Sequence, residues 1–131
     1  MDLKAQIENY TPYNEQEQQD KEEILRHLSQ SDSILTRDNR NAHITVAAWI
    51  TDKKRQKVLM AYHNIYHSWA WLGGHADGNP DLKEVVRKEI AEESGLDSVS
   101  FVSDNIFSLE ILTVAGHEKN NKYVSSHLHL N

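Results

Sequence analysis

Residues 71–96 constrain the fold more than any other part of the sequence, because they join a glycine-rich turn to a helix with recognisable ends. Asn79 is a good N-cap residue, and Pro80 would take the first helical position, where a missing N–H breaks no intrahelical bond. Gly95 suits the left-handed residue that ends a helix. The sequence therefore predicts a helix over about residues 80–94.

Three glutamates of this helix lie at or beside its apolar arc. At about 100° per residue, the arc is formed by Leu82, Val85, Val86 and Ile90. Glu89 and Glu93 fall inside the arc and Glu92 at its edge, so we expect all three carboxylates to be aimed at or beside the core. Their repulsion and desolvation then require compensation. A hard divalent cation such as Mg²⁺ or Mn²⁺ would supply it.

The alternative is an ordinary solvated helix face, on which Lys88 and Arg87 are the local partners of the glutamates. The position of the glutamates on the apolar arc, directly after a glycine-rich turn, argues against this interpretation.

The same stretch resembles the Nudix box of the Nudix hydrolases, G-x5-E-x7-R-E-U-x-E-E-x-G-U, in which U is aliphatic. The matching positions are Gly74, Glu89, Ile90, Glu92, Glu93, Gly95 and Leu96. Two positions depart from the pattern, since Pro80 stands at the first glutamate and Lys88 at the arginine. The sequence GGHADG at residues 73–78 also resembles that of one subgroup of the family.

The resemblance implies an α/β fold, a Nudix-type α/β/α sandwich with a mixed β-sheet. It implies a metal-dependent pyrophosphohydrolase that cleaves a phosphoanhydride bond in a nucleoside diphosphate linked to another moiety. The cofactor would be Mg²⁺ or Mn²⁺, with Glu89, Glu92 and Glu93 as metal ligands. Catalysis would involve Glu92, Glu93 and Lys88, and a homodimer would be unsurprising.

The two departures bear on activity rather than on the fold. Lys88 keeps the charge of the family's arginine but lacks its planar fork, so it would orient the glutamates more loosely. Pro80 cannot replace a carboxylate. Asp77 or Asp81 lies close enough in sequence to substitute for it.

Gly73, Gly74 and His75 are the candidate substrate-binding residues. The glycines would let the backbone approach a phosphate closely, although a tight turn between strand and helix is an equally good explanation. His75 would contact phosphate or stabilise the turn.

Composition limits the remaining possibilities. A chain of 131 residues predicts one domain with a core of its own. A net charge of -6 argues against nucleic acid or an anionic membrane as the main partner. Without cysteine, a signal-peptide pattern or a long apolar run, the sequence favours a soluble cytoplasmic protein. A small-molecule partner, a nucleoside diphosphate derivative, is what the resemblance implies.

The chain divides into an N-terminal helical extension over residues 1–35 and a Nudix domain over residues 36–131. The extension should hold a helix at about residues 14–28, packed on the domain as a lid or extension rather than forming part of its core. The last strand-like run stops at Asn131 in mid-pattern, so we expect the domain to be incomplete at its C-terminus.

Strand-like composition occurs at residues 43–51, 57–63, 99–102, 106–114 and 123–131. A hairpin turn is expected at residues 52–56 and a polar loop at residues 117–122.

Eight histidines raise the possibility of a metal site, and His127 and His129 would share one face of a strand. Neither His127 nor His129 belongs to a His-x3-His pair and the chain has no cysteine, so the pattern favours surface or hydrogen-bonded histidines over a structural zinc site.

The residue that accepts the proton of the attacking water stays open among Glu92, Glu93, Glu110 and Glu118. Three other functions also stay open: a weakened Nudix domain that binds a nucleotide or a protein, an isomerase acting on a diphosphate, and an unrelated α/β domain with a solvated acidic helix.

Overall fold

The computed structural model describes residues 2–64 and 66–131. Its helices are α1 (Leu3–Asn9), α2 (Glu15–Gln30) and α3 (Leu82–Ser94), with a short 3-10 helix at Asp32–Leu35. Its strands are β1 (Ala42–Ala48), β2 (Ile50–Thr51), β3 (Val58–Leu59), β4 (Ala61–His63), β5 (Ser68–Ala70), β6 (Leu72–His75), β7 (Ile111–Val114), β8 (His117–Lys119), β9 (Lys122–Val124) and β10 (His127–Leu130). None of the described helices has the length and apolar character needed to span a bilayer.

A four-stranded sheet of order β6-β1-β10-β7 is the centre of the fold. β1 runs parallel to β10 and antiparallel to β6, and β7 runs antiparallel to β10. Three two-stranded hairpins, β2–β3, β4–β5 and β8–β9, accompany it. A mixed sheet with helices packed on it confirms the predicted α/β fold of the Nudix type.

The two faces of the sheet differ in character because successive residues of a strand point to opposite sides. Ala42, Ile44 and Val46 of β1 are buried in the apolar clusters that include side chains of α2 and α3. His43 and Thr45 are buried on the other side of the same strand. One face is therefore the apolar core, and the opposite face is polar.

The N-terminal segment contributes directly to that core. Ile7 of α1, Ile24 of α2 and Ile34 of the 3-10 helix belong to the same cluster as Ile44 and Leu130 of the sheet. The prediction that this segment lies outside the core was wrong, because Ile7 and Ile34 extend the apolar surface of α2. Side-chain caps fix both helices: Asp2 accepts from the Ala5 amide at 2.8 Å and Asn14 from the Glu17 amide at 2.9 Å.

Helix α3 ends as predicted but begins later. Gly95 closes it in the left-handed region, at φ 77°. At the start, Asp81 is the N-cap, and its side chain accepts from the Glu84 amide at 3.1 Å. The predicted cap was wrong: Asn79 instead accepts from the Asp81 amide at 2.9 Å, which forms a turn ahead of the helix.

The strand predictions are confirmed in part. The hairpin at residues 52–56 is confirmed by the antiparallel pairing of β2 and β3. Residues 99–102 form no strand, and of residues 106–114 only the last four do. The expected loop at residues 117–122 is a hairpin, since Asn120 and Asn121 both adopt positive φ, at 53° and 63°.

Candidate functional site

Helix α3 is held against β1 and β6 by its apolar side. Val85, Val86 and Ile90 are buried in one cluster with Val46 of β1. Since Val46 pairs with Gly74 of β6, the helix lies over the strand that carries the glycines. This packing brings the glutamates of the helix to the end of the glycine-rich segment.

Gly74 of β6 is in contact with the side chain of Glu89, the first of the three glutamates. A β-carbon at Gly74 would overlap the Glu89 carboxyl group, and one at Gly73 would overlap the Val46 carbonyl. The turn itself lies further on, at Asp77 with φ 48° and Gly78 with φ 89°. Close packing of β6 against the β1 backbone, rather than a tight turn, therefore requires glycine at position 73, and glycine at position 74 leaves room for the Glu89 carboxyl group.

The three glutamates differ in burial. Glu89 is half-buried, whereas Glu92 and Glu93 are exposed, as is the whole last turn at residues 91–94. The prediction that all three carboxylates face or flank the core was therefore wrong for Glu92 and Glu93, because the end of the helix extends beyond the buried contact. Only Glu89 is held by packing, and the other two are free to rotate.

Glu89 is also the electrostatically perturbed member of the set. Burial raises the pKa of its carboxyl group, and the charges of Glu92 and Glu93 raise that pKa further, while Lys88 opposes them. Glu89 and the two carboxylates whose charges disfavour its ionisation form a donor set of the kind that holds a hard divalent cation. The chemistry of the site fits Mg²⁺ or Mn²⁺, provided that the exposed glutamates turn toward Glu89.

Comparison with models of known protein families identifies the family of this chain. The model of the NUDIX domain matches residues 41–123, which contain β1, β6 and all of α3. This chain belongs to the Nudix family. That membership confirms the resemblance of the box and makes the chain, in general terms, a member of a pyrophosphohydrolase family. No curated protein is significantly similar to the chain in sequence.

Lys88, at the position of the Nudix arginine, points into solvent. Its side chain is 70% exposed, and its Nζ lies 3.8 Å from Glu92 Oε1 in an i,i+4 pair. An exposed pair of this kind contributes little to stability. Lys88 is thus in reach of Glu92, but no rigid contact fixes the orientation of either side chain.

The two aspartates that could replace the missing Nudix glutamate both have structural roles. Asp81 caps α3. Asp77 accepts two hydrogen bonds from Arg37, at 2.9 and 2.7 Å, and the guanidinium lowers the pKa of the Asp77 carboxyl group. Asp77 is nevertheless close enough for its charge to raise the pKa of Glu89. Asp77 thus shares the electrostatic environment of Glu89 while it remains paired with Arg37.

A second polar cluster lies on the other face of the sheet and was missed by the sequence reasoning. His75 follows Gly74 and so points away from α3, toward His43 of β1 and His129 of β10, with ring centroids 5.2 and 5.1 Å away. Among the described residues, these three form the group whose metal-ligating atoms all lie within 4.8 Å of one another. The only signal in the sequence was the alternation of His127 and His129.

Proposed function

We propose that this Nudix protein hydrolyses a phosphoanhydride bond in a nucleoside diphosphate linked to another moiety, with Mg²⁺ or Mn²⁺ held by Glu89, Glu92 and Glu93. The observation that carries the proposal is the placement of Glu89, half-buried over Gly74 and beside two further carboxylates that raise its pKa. Membership of the family supplies the class of reaction.

Each residue of the box has a distinct part in this proposal. A divalent cation, when bound, neutralises charge on the phosphate oxygens and lowers the pKa of a water molecule. Glu89 provides the fixed carboxylate, and Glu92 and Glu93 complete the ligand set from the exposed side of the helix. Lys88 orients Glu92 through their exposed ion pair, more loosely than the arginine of the family pattern would.

We propose that a carboxylate accepts the proton of the attacking water. Glu110 accepts a hydrogen bond from Asn131 at 3.3 Å, and its pKa responds to Asp20 and Glu17 of α2 rather than to residues of α3. We therefore favour Glu92 or Glu93 over Glu110. Glu118 on β8 stays a candidate.

The backbone and side chain at the end of β6 are proposed to contact the substrate. Gly73 and Gly74 lie in β6, which is an edge strand of the sheet. Because neither residue has a side chain, a phosphate group can approach their backbone closely. We keep His75 as a proposed substrate contact. A cytoplasmic location and a homodimer also stay predictions.

The test is a hydrolysis screen of dinucleotides, nucleotide sugars and nucleoside triphosphates, with and without Mg²⁺ or Mn²⁺. We expect metal-dependent turnover by the parent protein and by the control Glu22→Gln, whose side chain lies on α2. We expect turnover to fall about 100-fold or more in Glu92→Gln and Glu93→Gln. Turnover that needs no metal, or that both variants retain, would contradict the proposal.

A second candidate function is a weakened Nudix domain that binds a nucleotide or a protein partner. Pro80 and the exposed Lys88 favour it, because two positions that normally build the catalytic arrangement are altered. In that case nucleotide and metal should raise the melting temperature of the parent protein without turnover. The double variant Pro80→Glu, Lys88→Arg should then gain activity, which would identify these two departures as the cause of the missing turnover.

A further inference from the structure

Histidines from three adjacent strands meet on the face of the sheet opposite α3. His43 of β1 pairs directly with His129 of β10, and His75 of β6 pairs with Thr45, two residues after His43. Paired residues and residues two apart share one face of a sheet. The register of β1, β6 and β10 therefore places the three imidazoles side by side.

His127, two residues before His129, completes the group. Its ring centroid lies 4.7 Å from that of His43 and 5.0 Å from that of His129. Its Nδ1 lies 2.8 Å from the Ser125 carbonyl, and its Nε2 lies 3.1 Å from His129 Nε2. Because His127 Nδ1 donates to the carbonyl, its Nε2 accepts from His129 and holds that ring in place.

His43 is the central member, and one of its nitrogens has no partner. The residue is 4% exposed, and its Nδ1 donates to the Asn39 carbonyl at 3.1 Å. Its Nε2 therefore carries a lone pair, yet this atom is buried without a hydrogen-bond partner. An unsatisfied buried acceptor is unfavourable. A backbone carbonyl on the far nitrogen is also the usual support of a metal-binding histidine.

We propose that His43, His75 and His129 bind one borderline transition-metal ion, with Zn²⁺ as the best-fitting ion, at a site separate from the glutamates of α3. Imidazole nitrogens suit Zn²⁺ and its neighbours in the first transition row, whereas Mg²⁺ prefers oxygen. Three histidines leave one position of a tetrahedral ion open for water or for a substrate atom. His75 is the one residue of the Nudix-box segment that takes part, and none of its glutamates does.

The protonation state of the cluster supports this site. Burial lowers the pKa of His43, that of His75 to about 4 and that of His129 to about 3. At neutral pH all three rings are thus uncharged, the form that ligates a metal ion. The charges of Arg37 and Lys119 also lower the pKa of His75, while Asp77 opposes them.

Binding requires only a modest contraction of the cluster. Zn–N bonds of about 2.0–2.1 Å in a tetrahedral site place the nitrogens about 3.4 Å apart. The ligating atoms already lie within 4.8 Å of one another. His75 and His129 are only half-buried, so their rings have room to rotate toward His43.

The site lies on the opposite face of β6 from the glutamates of α3, and His75 is the residue that it shares with the proposed substrate contacts. Gly74 faces Glu89 across the α3 side of β6, whereas His75, the next residue, faces the histidines. The family match ends at residue 123, before His129. The cluster thus combines residues of the matched region with one from the strand that follows it.

The test is a titration of the metal-stripped protein with Zn²⁺ by calorimetry and with Co²⁺ by visible absorption. We expect one equivalent of Zn²⁺ per chain and the intense visible bands of four-coordinate Co²⁺, with no comparable response to Mg²⁺. His75→Gln and His129→Gln should each weaken Zn²⁺ binding about 10-fold to 100-fold. The control His63→Gln, at an exposed position on β4, should bind as the parent does, and so should Glu92→Gln and Glu93→Gln.

A measurement on the unaltered protein covers the case in which a histidine variant does not fold. Zn²⁺ should shift the imidazole ¹⁵N resonance of His43 Nε2 and leave that of His63 unchanged. The proposal is overturned if the parent binds no Zn²⁺ at tens of micromolar, if the His43 resonance does not respond, or if His75→Gln and His129→Gln, shown to be folded, bind Zn²⁺ as tightly as the parent.

Discussion

At the scale of single residues, the two candidate sites lie on opposite faces of β6, at the neighbouring residues Gly74 and His75. Gly74 lets Glu89 rest on the strand, and His75 turns to the opposite face. Gly74 could be recognised in the sequence because it matches a glycine of the box. The sequence did not reveal that Gly74 leaves room for Glu89, because this depends on which side chain of α3 lies over the strand.

Gly74→Ala should displace Glu89 and therefore weaken the response to Mg²⁺ or Mn²⁺. The added methyl group would overlap the Glu89 carboxyl group, while the backbone at Gly74 is not in the positive-φ region. Gly95→Ala is the matched control, since nothing lies within 4 Å of its β-carbon but its φ is 77°. It should lose about 1 kcal/mol of unfolding free energy and keep metal-dependent turnover. Equal turnover in parent and Gly74→Ala would contradict this role.

Glu110→Gln should change how stability depends on pH. Burial raises the folded-state pKa of the Glu110 carboxyl group above 4.5. Its contribution is thus fully present below the unfolded pKa and is lost as pH rises through the folded pKa. The amide avoids this loss, so the variant should gain stability relative to the parent at pH 7.5, by less than about 1 kcal/mol given partial exposure. Urea unfolding at pH 4.5 and 7.5 measures the difference in unfolding free energy between the variant and the parent. The same difference at both pH values would contradict the prediction.

At the scale of secondary-structure elements, local sequence signals predicted where a helix ends and where a hairpin turns. The left-handed cap at Gly95 fixed the end of α3, and a charged five-residue linker indicated the β2–β3 hairpin. The start of α3 shifted because Asn79 and Asp81 are both good capping residues and tertiary contacts chose the second. The runs at residues 99–102 and 106–110 have strand composition but no partner strand in the described sheet, and composition cannot reveal that.

Helix α2 was predicted, but its energetic importance was not. Ile24→Ala should lower the free energy of unfolding by about 2–5 kcal/mol, because this side chain is 1% exposed within the main core cluster. Glu22→Ala, on the exposed side of the same helix, should change it by less than about 0.5 kcal/mol. Denaturant unfolding of both variants measures the difference. Similar small effects would show that residues 1–35 pack only loosely on the domain.

At the scale of the whole molecule, the sequence was informative where a function is encoded in one contiguous segment. The Nudix box lies within a single strand–turn–helix unit, so its residues predicted the family, and the resemblance to that family implied the mixed α/β fold. The histidine cluster could not be predicted in this way. His43 and His129 come together only because β10 inserts between β1 and β7, and no local pattern encodes that parallel pairing.

The most direct test of the hydrolytic function is product analysis by mass spectrometry after reaction in ¹⁸O-labelled water. Metal-stripped protein would be given a panel of nucleoside diphosphate derivatives, with and without Mg²⁺ or Mn²⁺. We predict one ¹⁸O atom in a phosphate group of a product, formed only when metal is added, which reports attack of water at phosphorus. An absence of labelled product from every member of the panel with either metal would contradict the hydrolytic function.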